Sequence, residues 1–283
     1  MRKLTVFSCL IAAMLLATAG CETVTQMLAD MDKPSARVTG ANLSGLSLEH
    51  AGLTFDLEVS NPYSVPLPLA SLDYTLEAAG ARLFDGKQSL DGTVPAGGTR
   101  TIQLPLNVRF ADLFAAAKGV KAGEVVPYKA TMGLAANAPG LGEIRLPVSK
   151  QGELPVPTTP EVKLTQMKIE SLSMSQLQAR VGMSVKNTNQ FKFGLSEMQY
   201  DLKLAGATIA SMKLDDAADL APGEATEMSF PISVNPLSIG MGFYNMLTGS
   251  DASYQIVGNV TGATPFGPMS LPFDRSGDMP LTR

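Results

Sequence analysis

The chain has 283 residues, a formal charge of −4, 45% hydrophobic residues, 6% aromatics and no Trp. That length suits two domains of ordinary size, whose cores must be built from Leu, Val, Ile, Met and Ala. The Lys and Arg residues form no cluster, which argues against a nucleic-acid binder, since such a protein presents a basic face.

In chain order, Arg2 and Lys3 precede an apolar run, Leu4–Leu16, of signal-peptide length. Ala17, Thr18, Ala19 and Gly20 follow, and then Cys21. This resembles the bacterial lipobox, in which the Cys is lipidated and becomes the first residue. Thr18 departs from that pattern, which prefers Leu there. Two readings stand. Either Cys21 carries the lipid that holds the chain to a membrane, or an ordinary export signal is cut before a free thiol. Cys9 leaves with the signal, so the mature chain holds no internal disulfide. Glu22, rather than Asp, follows the Cys, which points to the outer membrane facing the periplasm if the source is Gram-negative. Glu22–Lys33 is a tether. Val24, Met27, Leu28 and Met31 share one helical face, which predicts either a docking helix or a flexible stalk. No later apolar run is long enough to span a bilayer.

Residues 34–152 predict the first domain. Thr54–Val59 alternates, with Phe55, Leu57 and Val59 on one face. Asn61-Pro62 ends that strand, because Pro lacks the N–H that a ladder needs. Leu72, Tyr74 and Leu76 form the next alternating set, followed by turns at Ala79-Gly80, Asp85-Gly86 and Asp91-Gly92. Ile102, Leu104, Leu106 and Val108 form another. Phe110, Leu113, Phe114 and Ala117 then fall at helical spacing, with Gly119 placed to cap the helix. Tyr128–Leu134 and Ile144–Val148 return to the strand period.

Residues 153–159 are a Pro-rich linker, stiff and extended, which predicts a restricted angle between the domains. Residues 160–283 repeat the first domain. LTFDLEVSNPYSVPLPLASLDYTLEAAGA at 53–81 returns as ARVGMSVKNTNQFKFGLSEMQYDLKLAGA at 179–207. Asn61 becomes Asn187, Tyr74 becomes Tyr200 and Gly80 becomes Gly206, each 126 residues on. The offset slips to 125 near Leu271-Pro272. Asn235-Pro236 predicts the start of a helix that ends at Gly249. The expected fold is mainly β: two tandem β-sandwiches of the immunoglobulin or fibronectin kind, each with about seven strands and one short helix.

The chemistry-bearing residues are sparse. His50 is the one His; it reads as a solvated loop residue, and a catalytic base would need a partner the chain does not offer. Asp215, Asp216 and Asp219 read as a solvated turn or a weak calcium loop, without the spacing such loops use. No metal site, cofactor or enzymatic centre is expected. Asn61 and Asn187 read as residues that hold an irregular turn, with a ligand contact as the second reading. Ten Met lie in the second domain against Met132 alone in the first. They read as core filling or as an adaptable apolar binding surface.

Val59-Ser60-Asn61-Pro62, a Pro-rich stretch and then Leu72–Leu76 resemble the WHy (water stress and hypersensitive response) domain of the LEA14-like, group 2 late embryogenesis abundant proteins. Val185-Lys186-Asn187 with Met198–Leu202 is a degenerate second copy. The resemblance implies a folded β-sandwich with one helix and a link to desiccation and stress, with no catalytic residues to carry over. The function expected is a non-enzymatic, membrane-anchored envelope lipoprotein that protects or scaffolds client proteins or the envelope. The alternatives are a periplasmic carrier of lipid or another apolar ligand, and an adaptor that docks through a strand edge.

Overall fold

The structure, a computed structural model, describes residues 32–138, 140, 142–215 and 218–283. The signal sequence, Cys21, all but the last two residues of the tether, and Asp216 lie outside the described residues. Two β-sandwiches follow one another. The first has β1 (Ser35–Leu46), β2 (His50–Ser60), β3 (Leu67–Ala78), β4 (Ala81–Ser89), β5 (Thr93–Val94), β6 (Thr99–Arg109), helix α1 (Phe110–Ala116), β7 (Val125–Ala138) and β8 (Gly142–Pro155). The second has β9 (Glu161–Leu172), β10 (Leu177–Lys186), β11 (Phe193–Leu204), β12 (Ala207–Leu214), β13 (Ala218–Leu220), β14 (Ala225–Val234), helices α2 (Pro236–Ile239) and α3 (Met241–Leu247), β15 (Asp251–Thr264) and β16 (Gly267–Thr282).

In the first sandwich the sheet β1-β2-β6 faces the sheet β4-β3-β7-β8, with β5 paired to β3. Alternation explains the packing. Ala51, Leu53, Phe55, Leu57 and Val59 of β2 are all buried, and the residues between them are half-buried. The second sandwich repeats this order as β9-β10-β14 and β12-β11-β15-β16, with β13 on β11.

The duplication extends to the irregularities. β1 carries extra residues at Thr39 and Ser44, and β9 carries them at Thr165 and Glu170. β3 bulges at Ala70 and β11 at Ser196, while β4 bulges at Leu83 and β12 at Ile209. Every pair is 126 residues apart. Bulges kink a strand and re-aim its side chains, so they are built features of the sandwich. The β3–β4 and β11–β12 hairpins turn on Ala79-Gly80 and Ala205-Gly206, all with positive φ, the geometry that matches strand twist.

Each sandwich has eight strands, where about seven were expected. Alternation does not mark β1 and β9, because two bulges each break their period, nor β4, where Asp85-Gly86, expected as a turn, instead pairs with Thr75 and Tyr74 inside the strand. The slip from 126 to 125 falls in a hairpin: three residues separate β7 from β8, and two, Pro265 and Phe266, separate β15 from β16. The second sandwich also has two short helices where one was expected. Gly240, at φ 130, breaks the run, although Asn235 does cap its start by accepting from the Leu237 N–H at 3.0 Å. Phe114, expected on the buried helix face, is 40% exposed. α1 stops at Ala116, so only Phe110 and Leu113 face inward from the helix.

One sheet edge distinguishes the copies. In the second sandwich β16 reaches β9 and pairs in parallel, Leu281 with Met167 and Thr282 with Lys168, joining its two sheets. In the first, β1 and β8 form no ladder among the described residues. The residues matching Leu281 and Thr282 are Val156 and Pro157. Val156 N–H donates to Glu124 O at 2.8 Å, as Leu281 N–H donates to Ser250 O at 2.7 Å. Pro157 then has no N–H to offer. A cleft of about 590 Å³ lies along this seam, lined by Ala41, Asn42, Leu43, Tyr128, Lys150 and Phe266, among others; a smaller one of about 410 Å³, lined by Glu161, Lys163, Tyr254 and Arg275, among others, lies along the paired seam of the second sandwich.

Candidate functional site

Asn61 and Asn187 are two of the few buried polar side chains, at 1% and 2% exposure. Each sits just past the end of its strand, where the chain crosses to the facing sheet. Asn61 Nδ2 donates to the carbonyls of Val65 (2.9 Å), Val94 (3.2 Å) and Pro95 (3.1 Å), and its Oδ1 accepts from the Tyr63 N–H at 3.1 Å. Asn187 makes the matching set with Phe191 (2.8 Å), Leu220 (3.1 Å) and Ala221 (3.4 Å), and accepts from the Asn189 N–H at 3.0 Å. One amide therefore joins its own exit loop to a turn more than thirty residues away. With both its donor and its acceptor engaged by backbone, it has the geometry of a structural lock, because buried polar groups persist where they are satisfied. Pro62 is exposed beside it.

The residues after the lock differ in role. Asn189, 3% exposed, reaches the linker. Its Oδ1 accepts from the Thr158 N–H at 2.8 Å and its Nδ2 donates to Thr158 O at 3.3 Å. Thr188 Oγ1 donates to Thr159 O at 2.8 Å. Arg275 donates to Thr159 Oγ1 at 2.9 Å and to Pro160 O at 3.2 Å. From the first sandwich, Gly123 N–H donates to Val156 O and Gly123 O accepts from the Gln190 N–H, both at 2.6 Å. Gly123 has φ +95, and a Cβ on it would lie 2.9 Å from the Thr188 carbonyl oxygen. A side chain is thus excluded by conformation and by space. These contacts hold the linker against both sandwiches. The sequence pointed to this place through the change from Pro62-Tyr63 to Thr188-Asn189, but offered no signal that Gly123 would meet it.

His50 is not a loop residue. It is the first residue of β2, half-buried, and its Nδ1 lies 3.1 Å from Ser47 Oγ, which also accepts from the His50 N–H. The pairing belongs to the β1–β2 turn. Asp215 and Asp219 do not converge. Asp215 pairs with Lys213 at 3.3 Å and Asp219 with Lys192 at 2.8 Å. Among the described residues no group of His, Cys, Asp and Glu could hold a metal ion. The perturbed titrations are structural. Burial raises the phenols of Tyr128 and Tyr200. Hydrogen bonds from Lys163 and Lys213 hold Glu161 and Glu197 below the usual carboxylate range.

Tyrosines over glycines mark both copies. Tyr128 lies across Gly152, where a Cβ would meet its ring at about 2.7 Å, and Tyr254 lies across Gly277 at about 3.1 Å. The Tyr74–Gly86 pair becomes Tyr200 and Met212, whose Sδ accepts from the Tyr200 hydroxyl at 3.4 Å. The ten methionines divide. Met167, Met183, Met198, Met269 and Met279 are buried in the core, and Met212, Met228 and Met246 pack against it. Met174 and Met241 are 53% and 50% exposed.

The family profile described as "Late embryogenesis abundant protein" matches residues 56–152 and 183–277, one match in each sandwich. A desiccation protectant protein Lea14 homolog of Glycine max is 30% identical over 135 residues, 48% of this chain and 89% of the relative. A probable desiccation-related protein LEA14 of Arabidopsis thaliana is 28% identical over 135 residues, with the same coverage of 48% and 89%. A solution structure of an Arabidopsis thaliana protein, 28% identical, covers 45% of this chain and 85% of its own with a TM-score of 0.38. Since the profile spans more than half of the chain and falls on both sandwiches, this protein belongs to the late embryogenesis abundant family of the LEA14-like, group 2 kind, with its domain in tandem.

Proposed function

We propose that this chain is a non-enzymatic protein of stress tolerance that protects or scaffolds other proteins, or the envelope itself, during water loss. The observation that carries this reading is the family match in both sandwiches, with relatives named for desiccation protection. The polar surface of β2, with Asp56 and Glu58 paired to Gln103 and Arg37, supports a scaffold that stays hydrated and folded. In the same reading Cys21 carries an acyl chain that tethers the sandwiches to the membrane. Drying a labile enzyme with the purified chain tests protection. Activity retained well beyond that with an equal mass of inert protein is expected, and equal retention counts against the proposal. Labelled palmitate tests the anchor: incorporation is expected in the natural chain and lost in Cys21→Ala.

The carrier reading needs an apolar cavity. The seam cleft has a mixed wall, with Asn42, Lys150, Gln151 and Glu153 beside Leu43, Leu53, Tyr128 and Phe266, whereas a site for an apolar ligand is lined predominantly by apolar side chains.

A further inference from the structure

One end of the second sandwich departs from its copy in chemistry. The β9–β10 turn, α2 and α3 meet there, at the end away from the linker; Leu237 N–H donates to Met174 O at 3.2 Å. Met174, Leu237 and Met241 are 53%, 49% and 50% exposed, three of the five large apolar side chains so exposed among the described residues. Residues 228–250 contain no charged side chain, and neither do 171–179. The matching stretches of the first sandwich carry Glu49, Arg109, Asp112, Lys118, Lys121 and Glu124, and place Leu48, Ala111 and Ala115 where the second has Met174, Leu237 and Met241. Among the described residues, the charged side chains bonded to this end are Arg283, which donates to Leu247 O at 3.1 Å, and Asp251, which accepts from Ser250 Oγ at 2.7 Å.

We propose that this end is a membrane-docking tip, with Met174, Leu237 and Met241 entering the interfacial layer of a neutral phospholipid bilayer. Three half-exposed side chains offer a few hundred Å² of apolar surface, short of the roughly 800 Å² per partner that a stable protein interface buries. The charges at its border are few and of both signs, with Glu170 and Arg180 paired to each other, so they offer no single-signed rim to orient a protein partner. An end whose exposed apolar groups are flexible Met and Leu side chains suits a soft interface. A single Arg at its edge, Arg283, is no basic cluster, which makes the occupant neutral rather than anionic lipid, since anionic lipid recruits basic segments. Shallow insertion of so little area gives weak, reversible attachment. The proposal does not depend on acylation of Cys21.

The absence of Trp allows a local test. Met241→Trp places a single fluorophore on the tip, and Ala115→Trp places one at the matching exposed position of the first sandwich. Both full chains share one N-terminus, so attachment made there acts equally on both. With phosphatidylcholine vesicles, Met241→Trp emission shifts to the blue and is quenched by brominated acyl chains; Ala115→Trp shows neither. Adding Met174→Asp and Leu237→Asp weakens the vesicle response about tenfold or more, with unchanged circular dichroism. Three outcomes overturn the proposal: emission indifferent to vesicles in a folded chain, a blue shift that grows with protein concentration without lipid, and a response confined to anionic vesicles. Cys21→Ala leaves the readout unchanged, so the anchor and the tip can fail separately.

Discussion

The two strand exits show how one solution was kept and its surroundings released. At the end of β2 the chain turns on Asn61, Pro62 and Tyr63, and the Tyr63 carbonyl accepts from the Gly97 N–H within the same sandwich. At the end of β10 it turns on Asn187, Thr188 and Asn189, and here the Gly223 N–H donates to Asn187 O instead. That leaves Thr188 and Asn189 to bond the linker. The Asn is constant because its partners are backbone carbonyls that both copies present. The residues after it differ, and in the second copy they bond the linker. A duplicated domain thus keeps the group that closes its fold and spends the next two positions on its neighbour.

The core contrast between the copies admits the largest test. Met132 is 2% exposed, and its counterpart is Gly258. A Cβ at Gly258 would strike the Gln199 carbonyl oxygen and lie 2.9 Å from Tyr200 Cα. The larger Phe230 and Phe273, standing where the first sandwich has Leu104 and Val148, fill the second core. Gly258→Ala is expected to destabilise the second sandwich by about 3 kcal/mol or more, since backbone must move. Met132→Ala in the first costs about 2–5 kcal/mol, as a cavity. Denaturant melts with hydrogen exchange read separately in each sandwich check both. A tolerated Gly258→Ala would break the claim that the copies pack by different rules.

The strand exits come next. Asn61→Ala and Asn187→Ala each leave buried carbonyls without a donor, and each is expected to cost its own sandwich roughly 2–4 kcal/mol. Equal losses confirm a shared lock; a loss in one copy alone would end the equivalence. Giving the second copy the first copy's exit, with Thr188→Pro and Asn189→Tyr, is expected to leave both cores intact. It removes hydrogen-exchange protection at Thr158 and Gln190, about 1–3 kcal/mol in local opening energy.

The smallest effect is acidic. Glu161 and Glu197 are held below the usual carboxylate range by Lys163 and Lys213, and both lie in the second sandwich. A lowered pKa means stability present above the unfolded pKa and lost as pH falls through the folded one. The second sandwich is therefore expected to lose slightly more stability than the first below pH 4.5. Exchange protection followed from pH 5 downward, at about one-half unit steps, reads the difference. Neutralising the two Lys partners abolishes it.

Much of the architecture was legible along the chain because its signal is local. Alternation in Phe55-Leu57-Val59 and Val181-Met183-Val185 marks strands wherever one face is buried and the ladder is regular. The offset of 126 revealed two copies without any coordinates. β1 and β9 escaped notice because a bulge inserts one residue and reverses the parity on which alternation depends. Asn235-Pro236 marks the helix in the second copy, yet nothing local marks its break at Gly240, since a Gly inside a helical run can be tolerated. His50 reads as a loop residue along the chain because nothing in its neighbourhood shows that the β1–β2 hairpin turns as tightly as it does.

What the linear chain settled, then, is the repeat, the β character, and the Asn at each strand exit. These follow from period and from residue types whose preferences act over a few neighbours. Tertiary structure alone decided what each Asn bonds, because its partners at Val94 and Leu220 are brought near only by sheet pairing. It decided that Thr282 would pair with Lys168 while Pro157, at the matching position, extends no ladder, because the effect of a missing N–H depends on which strand lies opposite. It also decided that eight of the ten second-domain methionines would pack into or against a core and that two would stand exposed at one end, because composition is silent about which face a side chain meets.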